Sequence, residues 1–80
     1  MTINNIAKAL KSQGFQVIEV VKASKNADAG IFLSDSVSVT LGASGVRVTT
    51  ASNDGFNFGE THSVNDLAGL FADVKQALAT

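Results

Sequence analysis

Residues 36–51, SVSVTLGASGVRVTTA, constrain the fold of this chain more than any other stretch. Two runs alternate apolar with polar residues, and a four-residue segment, Gly42 to Gly45, separates them. Period-two alternation places successive side chains on opposite sides of an extended strand. Val37, Val39 and Leu41 therefore share one face of the first run, with Ser36, Ser38 and Thr40 on the other. In the second run Val46, Val48 and Thr50 oppose Arg47, Thr49 and Ala51. Two such runs joined by a short glycine-containing loop form an antiparallel pair with one buried and one solvated face. Ser52 to Gly55, SNDG, closes a second hairpin, and Asp-Gly is the strongest short-range signal for one. Phe56 and Phe58 then share a face of a short last strand.

Helices flank these strands. At the N-terminal end Ile3, Ile6, Ala7 and Leu10 recur at helical spacing, which predicts a helix over 2–13 with Thr2 as its cap and Gly14 as its terminating glycine. Near the other end Val64, Leu67, Ala68, Phe71, Val74 and Leu78 form a second stripe, widened by Leu70 and Ala77. It predicts a helix over 64–78 with Ser63 as N-cap and the Asp66 carboxylate near the helix-start amides. Between the first helix and the clean hairpin lie two further strands, 15–24 and 30–34. The first alternates imperfectly: Phe15, Val17, Glu19 and Val21 face one way, Gln16, Ile18, Val20 and Lys22 the other. A bulge that shifts the phase, or a sheet covered on both faces, accounts for that pattern.

The order helix, four or five strands in a meander, helix predicts a two-layer α+β domain with both helices on one face of an antiparallel sheet. The expected core is Ile6, Leu10, Val17, Val37, Val39, Leu41, Val46, Val48, Phe56, Phe58, Leu67, Phe71, Val74 and Leu78. Eighty residues suffice for a single domain, 1–80, and a chain this short has little stability to spare. Without cysteine it has no disulfide, and with one histidine it has no His-rich metal site. The core must carry the fold, or copies must associate. Charged residues make up only 16% of the chain, which leans toward a covered face or self-association.

Chemistry-bearing residues concentrate in Asn53 to Ser63, NDGFNFGETHS. Glu60 and His62 share a strand face by spacing, and Asp66 is placed to reach the imidazole, which is how a general base is oriented. A base needs a group to activate, yet the chain has no cysteine and no GxSxG serine. Glu60, His62 and Asp66 are accordingly expected to form a polar strand-to-helix junction, with no catalytic residue, metal or cofactor. The Gly42–Gly45 loop precedes a strand and lacks the helix start of a phosphate loop, so it is a plain hairpin. Lys8, Lys11, Lys22 and Lys25 make the N-terminal third basic within a chain of net charge −1. One arginine and no tyrosine or tryptophan argue against nucleic-acid binding, so these lysines are expected to be a solvated face.

The sheet face away from the helices should present Ser36, Ser38, Thr40, Arg47, Thr49 and Asn57. If Ile18, Val20 and Phe32 join them, they form an apolar patch on a polar face, the usual mark of an interaction site. If strand 15–24 is bulged, Ile18 and Val20 turn inward. The expected function is a small non-catalytic protein-interaction module, such as an inhibitor, adaptor or accessory protein of bacterial or phage type. It would bind a protein partner, or itself, through the uncovered sheet face or an edge strand, with Ile18, Val20, Phe32, Ser38, Thr40, Arg47 and Thr49 as the interface. The alternatives are a structural subunit of a homo-oligomeric assembly and a nucleic-acid-binding module using the N-terminal lysines. The expected location is cytoplasmic, without membrane association, since no signal-peptide pattern or long apolar run is present.

Overall fold

The computed structural model describes residues 2–79. Helix α1 spans Ile3–Ser12, and the Thr2 hydroxyl accepts from the Asn5 amide, as the cap signal predicts. The helix ends in a glycine-dependent double hydrogen bond: Gly14 N–H donates to the Lys11 carbonyl and Phe15 N–H to that of Leu10. Gly14 adopts φ +92°, a conformation costly for any residue with a Cβ. The chain is thereby turned back beneath the helix it has just left.

Five strands follow: β1 Glu19–Val21, β2 Ala29–Phe32, β3 Val37–Gly42, β4 Gly45–Ser52 and β5 Gly55–Phe58. They form one open antiparallel sheet in sequence order, and α2, Leu67–Ala79, closes the chain. The architecture is α+β, with order αβββββα. Helix α1 lies over β1 and β2, and α2 over β3 and β4. A tilted contact between Phe15 and Phe71, centroids 6.4 Å apart, links the end of α1 to α2. Val20, Ile31, Val39 and Val48 form one cross-strand row beneath the helices. Ile6, Leu10, Leu70 and Val74 descend onto the sheet and are fully buried.

Several expectations change. Strand 15–24 shortens to Glu19–Val21, and its phase does shift. Phe15 and Val17 pack against the core from odd positions, and Val20 does so from an even one. The slip leaves Ile18 in the open, 59% exposed, while its expected companion Val20 turns inward. Helix α2 begins at Leu67, not Val64. Val64 and Asn65 form a turn in which Asp66 N–H donates to the Ser63 carbonyl and Asn65 N–H to the Ser63 hydroxyl, so Ser63 caps that turn. The cause is upstream: His62 is tied to Val46 by two backbone hydrogen bonds of 2.7 and 2.9 Å, which hold the chain at sheet level until residue 62. Leu78 is also no core residue, being 39% exposed, and the fully buried Leu70 anchors the helix instead.

The largest correction is at β5. The two-residue loop pairs Ser52 with Gly55, so Phe56 lies opposite Ala51, Asn57 opposite Thr50, and Phe58 opposite Thr49. Ala51 and Thr49 belong to the face the helices leave bare. Phe56 and Phe58 therefore stand on that face, 68% and 60% exposed, instead of in the core. Asn57 moves the opposite way, onto the helix side.

Candidate functional site

Two places gather side chains beyond what the fold requires: the open sheet face and the junction at His62.

On the open face the ladder aligns Phe32, Ser38, Thr49 and Phe58 across four strands, with Phe56 one row along, beside Ala51. Phe32, Phe56 and Phe58 are all exposed, although aromatic rings are the side chains that gain most from burial. Between them Ser38 and Thr49 are small, which leaves a hollow of about 70 Å³ walled by Phe32 and Phe56 and floored by Thr49. Thr49 is the only buried polar side chain among the described residues, and its Oγ1 has no hydrogen-bond partner there. A hydroxyl buried unpaired costs on the order of 1–3 kcal/mol. Arg47 lies on the same face with its guanidinium carbon 4.4 Å from the Phe58 ring centre, a cation–π contact that holds the ring over the sheet.

The second place owes its geometry to a bulge. Gly59 N–H donates to the Val48 carbonyl at 2.8 Å, and the next bridge pairs Val46 with His62. Glu60 and Thr61 thus stand opposite the single residue Arg47, one more than regular pairing allows. The extra residue reverses the alternation and sends the imidazole toward the helix layer. There His62 Nε2 lies 2.7 Å from Asp73 Oδ2, and Nδ1 lies 3.9 Å from Asp66 Oδ2. The hydrogen bond to Asp73 is the largest influence on the ring and, with the nearby charges of Asp73, Glu60 and Asp66, raises its pKa; partial burial opposes them. Two glycines make room: a Cβ on Gly45 collides with the His62 carbonyl, and one on Gly69 falls 2.7 Å from Nδ1. Chemically this is a clamp, with a carboxylate on α2 gripping a ring whose backbone is stitched to β4.

No family model, curated protein or solved structure matches this chain.

The expected interface residues divide. Phe32, Ser38, Thr40, Arg47 and Thr49 do share the open face. Ile18 lies at its margin, beside Glu19 and Phe32 on one shallow groove. Val20 leaves the set, because it packs beneath the helices. Asp66 does approach His62, at 3.9 Å, and Glu60 acts on the ring through its charge, but the nearest partner of His62 is Asp73, eleven residues downstream. Helical spacing offers no signal for that contact, which follows from the bulge. The open face gains Phe56 and Phe58. Their signal was present in the two-residue hairpin loop, whose register fixes which residues of β4 they join. No group of three or more His, Cys, Asp or Glu suited to a metal ion occurs among the described residues. No helix there is long and apolar enough to cross a membrane.

Proposed function

We propose that the chain is a small non-catalytic protein-interaction module whose binding surface is the open face of its sheet. One observation carries this reading: three exposed phenylalanines share the open face, and two of them, Phe32 and Phe56, wall a hollow floored by Thr49, whose hydroxyl is buried and unpartnered. Exposed aromatic surface next to desolvated polar groups is what partners find at the centre of interfaces. A docked side chain covers the rings, and a polar group on it satisfies Thr49 Oγ1 once rotation about χ1 turns the buried hydroxyl into the hollow. Arg47, held on Phe58, supplies a cation at the edge of the patch.

The test is affinity capture from the source cells with wild-type protein, Phe32→Ser and Thr49→Val. Both variants should keep the wild-type circular dichroism spectrum. A protein retained by the wild type, lost with Phe32→Ser and weakened with Thr49→Val should then bind directly in titration with purified components. Equal retention by all three refutes the open face as the binding surface.

A further inference from the structure

Strand β5 with its following residue reads the same in both directions: Gly55-Phe56-Asn57-Phe58-Gly59. It forms one edge of the sheet, and every residue of it is exposed. The ladder determines which of its backbone groups are engaged. Gly59 N–H donates to Val48. Asn57, two residues back and opposite Thr50, therefore also turns its amide and carbonyl toward β4. Phe56 and Phe58 turn theirs outward, so two donors and two acceptors lie along the free edge.

Such edges are templates for another strand, and proteins normally blunt them with charge, proline or a bulge. The opposite edge is blunted: β1 is three residues long, begins at Glu19, and is followed by Lys22. Between Gly55 and Gly59 the β5 edge has no charge and no proline, and its pairing with β4 is regular.

We infer that β5 pairs antiparallel with β5 of a second copy about a two-fold axis through Asn57. A two-fold interface must be self-complementary: if residue i meets residue j, then j meets i. A strand paired antiparallel with its own copy meets that condition by symmetry, and the palindrome adds that each residue faces one of its own kind. Phe56 falls opposite Phe58 of the second copy, at positions whose outward N–H and C=O groups exchange four hydrogen bonds across the seam. Their rings join on the open face as cross-strand aromatic pairs. Asn57 meets its own counterpart on the helix side, where a primary amide is both donor and acceptor. The two sheets become one, and the two phenylalanine patches merge into a single band. Beyond the palindrome the edge turns acidic at Asp54 and Glu60, which would lie opposite each other across the seam and confine pairing to the five central residues. An interface this short belongs among weak, reversible ones. Its like-charged ends make association stronger as salt rises. The inference deepens the open-face reading by naming one partner, but it rests on the β5 edge and not on Thr49, so either can fail alone.

The chain has no cysteine, which makes Asn57→Cys a unique probe. Facing residues at a non-hydrogen-bonded antiparallel position have Cα atoms about 4.5 Å apart, within disulfide range. Mild oxidation should convert Asn57→Cys to a covalent dimer at least tenfold faster than Ser44→Cys, which is exposed in the β3–β4 loop. In sedimentation, wild-type protein should show a monomer–dimer equilibrium that tightens with salt. Asn57→Lys should weaken it at least tenfold with unchanged circular dichroism, since its monomeric neighbours Glu60 and Asp73 line the same groove as residue 57. Phe32→Ser should leave the equilibrium unaltered. A wild-type protein that remains monomeric up to millimolar concentration overturns the inference. So does a cysteine at 57 that cross-links no faster than one at 44. Either result, alongside capture that still depends on Phe32, leaves the open-face reading standing.

Discussion

Replacing Asp73 by Asn should change the pH dependence of stability more than stability itself. Asn keeps an acceptor near His62 Nε2, 2.7 Å from the native carboxylate, but removes the charge that favours the protonated ring. The pKa of His62 is raised in the folded protein, so the folded state binds the ring's proton more tightly than the unfolded chain. That contribution is complete below the unfolded value of about 6.5 and is lost as pH rises through the higher folded value. A charge-assisted hydrogen bond contributes about 1.5–3 kcal/mol. The Asp73 side chain is 35% exposed, and screening reduces the figure to about 1 kcal/mol. In a domain of this size 1 kcal/mol moves Tm by roughly 4–8 °C. Thermal melts followed by circular dichroism at pH 5.5 and 8.5, at one ionic strength, read the effect. Wild-type protein should melt several degrees higher at the lower pH, and Asp73→Asn should lose most of that difference. His62 is the only histidine, so His62→Gln should flatten the profile equally. If wild-type Tm is the same at both pH values, or if Asp73→Asn retains the wild-type difference, the clamp is not an ion pair in solution.

Gly69→Ala offers a second view of the same contact. Gly to Ala inside a helix ordinarily gains about 1 kcal/mol, but here the new Cβ falls within 2.8 Å of the imidazole; the variant should lose stability and show a flattened pH profile, and a gain in Tm would place His62 elsewhere. The phase slip in β1 is tested by a pair of charges: Val20→Glu, against the core, should lower stability by at least about 2 kcal/mol in urea titration. Phe32→Glu, on the open face, should change it by no more than about 0.5 kcal/mol. Equal losses would mean that the two residues share one environment.

The elements with one dominant local signal are legible from residues alone. Thr2, Gly14 and the stripe from Ile3 to Leu10 define α1, and the alternation from Val37 to Thr50 defines the central hairpin with its buried face. What escapes is set by single-residue shifts of phase. Phe15, Val17 and Val20 all reach the core only because the strand slips by one residue, a choice made by packing beneath α1 rather than by any propensity. Glu60 and Thr61 against Arg47 make the second slip, and it decides that His62 meets Asp73. Phe56 and Phe58 differ in kind. Hydrophobicity assigns them to the core, yet the two-residue loop already pairs Phe56 with Ala51 and Phe58 with Thr49. Register outranks hydrophobicity at a sheet edge, because moving either ring to the helix side requires an extra residue in the strand.

That ranking bears on why the rings are on the open face at all. A single inserted or deleted residue near Asn53–Asp54 would turn both phenylalanines toward α2, where Asn57, Phe58 and Gly59 now border a groove of about 380 Å³ beside Asp73 and Gln76. Two rings there would cover that groove and enlarge a core that, in a domain of this size, has little surplus. The chain instead turns the polar Asn57 toward the helix side, where it remains exposed, and its two rings toward the open face. For folding alone this is the poorer arrangement, by a fraction of the roughly 1.5–3 kcal/mol that full burial of each ring contributes, since the helix-side position on this edge strand is itself only partly covered. The cost is recovered only when something covers the open face, and the same register that exposes the rings also turns the backbone groups of Phe56 and Phe58 outward along the free edge. Ring exposure and edge availability are therefore one property of β5, and a partner that uses either is placed to use both.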